Sequence, residues 1–110
     1  LQAGLINADF GALDEAKTCF LKVIELNAGN SAALNNLGNI GYLTGDYADA
    51  LEYYEKSLRI EEDGRVYLNA ALCYYKLNNL AKALENWKIA VEKDQTIAIE
   101  YQNFKILIGG

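Results

Sequence analysis

The sequence has 110 residues, 52% of them apolar, enough for one extended core, and no run approaches the roughly 18 to 20 apolar residues of a membrane-spanning helix. Ten Lys and Arg against fifteen Asp and Glu give a formal charge of -5, which disfavours nucleic acid and anionic membrane surfaces, because phosphates must be met by clustered cations. Histidine is absent and the two cysteines, Cys19 and Cys73, are too few for a disulfide scaffold, so they read as small apolar residues in a reducing, cytoplasmic setting. No catalytic residue, metal or cofactor is expected.

The chain opens at Leu1 with no methionine and no basic-then-apolar leader, and reads as a piece of a longer protein. Leu1 to Phe10 has helical character, and Gly11 is expected to make a turn. Leu13 to Leu26 then carries Leu13, Ala16, Phe20, Val23 and Ile24 at helical spacing on one face. Asn27, Gly29 and Asn30 end it, and Ser31 is expected to cap a helix reaching Thr44 with Leu34, Leu37, Gly38, Ile40 and Gly41 inward. Two interior glycines cost about 1 kcal/mol each relative to alanine, which close helix packing would offset.

Gly45-Asp46 turns the chain into a helix from Tyr47 to Ile60, with Ala50, Leu51, Tyr54, Ser57 and Leu58 inward and Glu52-Lys56 and Glu55-Arg59 as outer pairs. The acids after it sit poorly against the helix dipole, unless Asp63 caps the next helix. That helix, Arg65 to Leu77, turns inward Tyr67, Ala70, Ala71 and Tyr74. After Asn78-Asn79, Leu80 to Lys93 presents Leu80, Ala83, Leu84, Trp87, Ala90 and Val91. A last helix, Thr96 to Leu107, is apolar on most sides.

These helices repeat. Ala16-x3-Phe20, Ala50-x3-Tyr54 and Ala83-x3-Trp87 stand 34 and 33 residues apart, a period that marks a stacked array. Leu34-x2-Leu37-Gly38-x2-Gly41 followed by Ala50-x3-Tyr54, and Tyr67-x2-Ala70-Ala71-x2-Tyr74 followed by Ala83-x3-Trp87, resemble the tetratricopeptide repeat, a helix pair of about 34 residues. The proline that closes that pattern is missing in every copy.

The resemblance implies an all-α, right-handed solenoid of antiparallel helix pairs. Its units are a truncated repeat at 1–30, repeats at 31–63 and 64–97, and a fourth repeat's first helix or a capping helix at 98–110. It further implies a concave face lined by the first helix of each pair, serving protein or peptide partners. By phase that face holds Asn35, Asn36, Asn39 and Tyr42, then Arg65, Asn69, Tyr75 and Lys76, then Asn103.

Within that face Gln2, Asn36, Asn69 and Asn103 share one phase. A row of amides can pair with a peptide backbone whatever its sequence, as in the asparagine ladders of some family members. The same amides could instead be hydrated or bond neighbouring helices. Tyr42 and Tyr75 are interface aromatics or packing residues on the same footing. A carboxylate clamp fits poorly, since Asn69 stands where it needs arginine.

The leading expectation is therefore a protein-interaction scaffold that binds a polypeptide segment in the groove, with no nucleic acid or membrane partner. The alternatives are self-assembly of copies through the apolar terminal helix, and a regulatory or substrate-delivering arm of an enzyme whose catalytic domain lies elsewhere.

Overall fold

Three helix starts among the described residues are set by short amide and carboxylate side chains, those of Asn30, Asp63 and Asn79. The computed structural model describes residues 10–102 and 104. It forms α1 (Phe10–Leu26), α2 (Ser31–Thr44), α3 (Tyr47–Ile60), α4 (Gly64–Lys76), α5 (Leu80–Lys93) and α6 (Thr96–Glu100). The expected helix over Leu1–Phe10 lies outside the described residues, apart from Phe10, which opens α1. Gly11 does not turn the chain. It lies within α1, and the left-handed glycine among the described residues is Gly45.

The cap of α2 is Asn30 rather than Ser31. The Asn30 side-chain oxygen accepts from the Ala33 amide at 2.9 Å, while Ser31 is the first helical residue and its carbonyl accepts from the buried Ser57 hydroxyl at 2.9 Å. Asp63 caps α4 through the Arg65 amide at 2.8 Å, and Asn79 caps α5 through that of Lys82 at 3.2 Å. The other acid at this junction is also used: Glu62 accepts from the Tyr67 hydroxyl at 3.1 Å and lies 3.3 Å from the Lys93 ammonium. Gly45, at φ +85, ends α2 in the left-handed conformation that glycine adopts without Cβ strain.

Links this short force consecutive helices to double back, so α2 packs along α3 and α4 along α5, with α1 against α2 and α3 against α4. The result is an all-α solenoid of helix pairs measuring 39 × 31 × 23 Å. Close approach does offset the two interior glycines. A methyl on Gly38 would run into the Tyr54 ring, and one on Gly41 would meet Asp46 O at 3.1 Å and Ala50 Cα at 3.2 Å.

Two clusters form the core. One gathers Tyr42, Ala50, Leu51, Tyr54, Val66, Ala70 and Cys73 between the second and third repeats. The other gathers Leu68, Ala71, Ala83, Trp87, Ala90, Ile97 and Phe104, and Leu72 and Tyr74 pack against both. Val66, Leu68 and Cys73 go beyond the expected inward face because α4 is covered on two sides, by α3 and by α5. Leu80, expected inward, is 42% exposed as the first residue of α5. Cys19 is exposed rather than packed.

Two further expectations fail. Glu52-Lys56 and Glu55-Arg59 do not close into ion pairs, and the Lys56 ammonium lies 5.9 Å from the Tyr53 ring centre instead. The last helix does not run unbroken from Thr96. Tyr101 leaves helical values at φ -124, ψ 38, and helical geometry returns at Gln102 and Phe104.

Candidate functional site

Three neighbouring elements, α2, α3 and α4, enclose a groove of about 360 Å³ with Tyr101 at its margin. Asn39, Tyr42 and Leu43 come from α2, Tyr54 from α3, and Asn69 and Leu72 from α4. Most of the lining is aliphatic or aromatic, and two side-chain amides supply the polar points.

Those amides are held by a network. The Asn69 amide nitrogen donates to the Asn35 and Asn39 side-chain oxygens, both at 3.2 Å, and the Tyr54 hydroxyl donates to Asn39 at 2.6 Å. Burial pushes the Tyr54 phenol far above its ordinary pKa, so it stays a donor throughout the physiological range. The bonds fix both amides against rotation and leave the Asn39 nitrogen and the Asn69 oxygen unbonded among the described residues. One donor and one acceptor on an apolar wall complement a peptide unit, which offers one of each.

The structure thus brings Asn39, Tyr42 and Asn69 to the groove lining, with Asn35 as a support behind them. Asn36, on α2 but outside the groove lining, is half-buried and makes no side-chain hydrogen bond among the described residues. Tyr42 is largely buried, edge-on to Tyr47 at 5.6 Å, and Tyr75 is edge-on to Phe104 at 5.5 Å, so Tyr75 is engaged in packing. Lys76 is exposed at the end of α4, outside the lining, and Asn103 lies outside the described residues.

Arg65 is engaged as well. Its guanidinium donates two parallel bonds to Glu100, at 3.0 and 2.9 Å, and stands 3.7 Å from Asp94. The fork holds the Glu100 carboxyl below its ordinary range and raises Arg65. Asp94 is lowered chiefly by the Thr96 hydroxyl, which donates to it at 2.6 Å.

Sequence reasoning missed the roles of Tyr54, Tyr101 and Glu100. A buried tyrosine seeks a partner for its hydroxyl, which was a usable signal for Tyr54. Arg65 and Glu100 stand 35 residues apart, close to one repeat, and opposite charges one period apart on first helices become neighbours. Tyr101 had no such signal, since its placement depends on the break after α6. Among the described residues no group of three or more His, Cys, Asp or Glu could hold a metal ion, and no helix is long and apolar enough to cross a membrane.

Stacked helix pairs with an amide-bearing groove on their first helices define a helical-repeat scaffold. Profiles described as tetratricopeptide repeat match residues 1–65 and 41–105, and the chain belongs to that family. It is 34% identical over 84 residues to the human Protein O-mannosyl-transferase TMTC1, covering 76% of this chain and 9% of that protein. It is 36% identical over 80 residues to Dynein axonemal assembly factor 4 of Pan troglodytes, covering 72% and 18%. It is 35% identical over 60 residues to the Mitochondrial import receptor subunit TOM70 of Saccharomyces cerevisiae, covering 54% and 10%. The chain therefore spans less than a fifth of each of these relatives. Family and relatives together support a protein-interaction scaffold in general terms.

Proposed function

We propose that the groove binds an extended polypeptide segment of a partner protein. An apolar side chain of the segment packs among Tyr42, Leu43, Leu72 and Tyr101, and its peptide unit pairs with the Asn39 nitrogen and the Asn69 oxygen. Asn36, three residues before Asn39 on α2 and without a hydrogen bond among the described residues, extends the same backbone pairing. The carrying observation is the donor and acceptor left over by the Asn35-Asn39-Asn69-Tyr54 network on an otherwise apolar wall. Backbone pairing supplies affinity that does not depend on sequence, and the pocket supplies the selection.

The test is a selection from a displayed random peptide library, followed by affinity measurement on Asn36→Ala with Asn69→Ala. Removing two hydrogen bonds of about 1 kcal/mol each weakens binding by about tenfold or more. Circular dichroism should show an unchanged helical fold. Equal affinity for wild type and double variant, with the fold intact, removes the amide reading.

A second reading, self-assembly through the terminal helix, is favoured by Ile99, which stands 73% exposed on α6. It predicts a concentration-dependent dimer in light scattering that Ile99→Glu abolishes, and a wild-type chain that stays monomeric at high concentration counts against it.

A further inference from the structure

The Arg65–Glu100 fork has no part in the groove lining, yet it joins α4, which lines the groove, to the segment that carries Tyr101. Arg65, Asn69 and Leu72 stand at i, i+4 and i+7 on α4 and so share one face. The fork is thus built on the same helix face that supplies two of the groove's walls. On the other side, Glu100 is the last residue of α6, and the next residue, Tyr101, lines the groove.

A helix of five residues cannot hold itself together in water and takes its position from its tethers. Ile97 and Phe104 anchor α6 and the turn after it in the core, where Phe104 meets Trp87 edge-on at 5.7 Å. Neither anchor faces the groove. Tyr101 is bonded through its backbone to both anchors, its amide donating to the Ile97 carbonyl at 3.0 Å and its carbonyl accepting from the Phe104 amide at 3.1 Å, and its ring packs against the same core. The side-chain tether beside it on the α4 side is the bidentate fork, whose two parallel bonds fix direction as well as distance.

Resting on the peptide-binding reading above, we propose that Arg65 is a positioning residue: through Glu100 it holds Tyr101 as a wall of the groove, so that an ion pair which need not touch the ligand sets how tightly an apolar side chain is gripped. Binding of an uncharged peptide then depends on ionic strength, because salt screens the exposed pair that seats the wall.

The probe is a peptide without acidic or basic side chains, selected on the wild-type chain from the displayed library. Arg65→Gln and Glu100→Gln each weaken it by roughly threefold to fivefold, and the double variant loses no more than Arg65→Gln alone, the pattern of one shared interaction. Wild-type affinity falls with added salt and that of the variants does not. In a Tyr101→Ala background, Arg65→Gln has no further effect, a result that a purely stabilising ion pair would not give.

If Arg65 bound the peptide directly, Glu100→Gln would free it and affinity would hold or rise, which overturns the proposal. Additive losses in the double variant, or a further loss in the Tyr101→Ala background, overturn it equally. Variants equal to wild type in affinity sink the positioning role while the groove reading stands, whereas a library that yields no peptide on the wild-type chain sinks both.

Discussion

At the level of single residues, this chain is governed by small side chains opposite large ones. Gly38 faces the Tyr54 ring, which is almost wholly buried and tied to Asn39 through its hydroxyl. Gly38→Ala gains helix propensity of about 1 kcal/mol but forces the ring aside, with overpacking of about 1–3 kcal/mol and a hydrogen bond of about 1 kcal/mol at stake. The expected net loss is about 1–3 kcal/mol, read as a fall of several degrees in Tm. Gly29→Ala is the control: its methyl would meet only the Asn27 side-chain oxygen at 3.5 Å, and stability should be unchanged.

Cys73 gives a pH prediction. Burial pushes its thiol up to about 12, so the unfolded chain loses that proton first as pH rises. Its contribution to stability is complete below the ordinary thiol range and declines from there toward about 12. Ellman's reagent at neutral pH should find one fast thiol, the exposed Cys19, and one that reacts only on unfolding. Two fast thiols would contradict this burial. The cysteine pair also shows where sequence reading stops: at 110 residues with two isolated thiols, nothing separates the exposed one from the buried one before the helices are packed.

Individual helices were legible where the signal is local and blurred where two signals compete. The half-buried face of α1, Leu13, Ala16, Phe20, Val23 and Ile24, follows directly from helical spacing. The cap of α2 did not, because Asn30 and Ser31 are both good capping residues in adjacent positions and only the backbone decides between them. Asn30→Ala should therefore cost about 1 kcal/mol, while Ser31→Ala, whose role runs through its backbone carbonyl, should cost little. Thermal melts of the two variants side by side check this, and the reverse order would return the cap to Ser31. The break at Tyr101 is a third kind of case: Thr96 onward has helical propensity, and the departure comes from seating Ile97 and Phe104 in a core that the local sequence does not describe.

For the molecule as a whole, the 33 to 34 residue period was enough to give the solenoid of helix pairs, since each pair must bury its apolar face against the next. Phase put Asn39, Tyr42 and Asn69 on the first helices, where they line the groove, but it did not give their states. Asn69 spends its donors on Asn35 and Asn39, Arg65 spends its charge on Glu100, and Tyr75 packs on Phe104, all contacts between repeats, while Asp94 meets Arg65 within the third repeat. Periodicity predicts which side chains share a face and says nothing of which bond each other across it. Asn36, the Asn39 nitrogen and the Asn69 oxygen have no hydrogen bond among the described residues, and these are the groups that the proposed peptide binding uses.

Titration of ¹⁵N-labelled chain with the selected peptide, followed by amide correlation spectra, addresses that groove directly. The side-chain amide signals of Asn36, Asn39 and Asn69 and the backbone signals of Leu43, Leu72 and Tyr101 should move together and saturate with one affinity. Shifts confined to the separate cleft around Glu55, Arg59 and Asn86, with the three asparagine side chains unmoved, would contradict it.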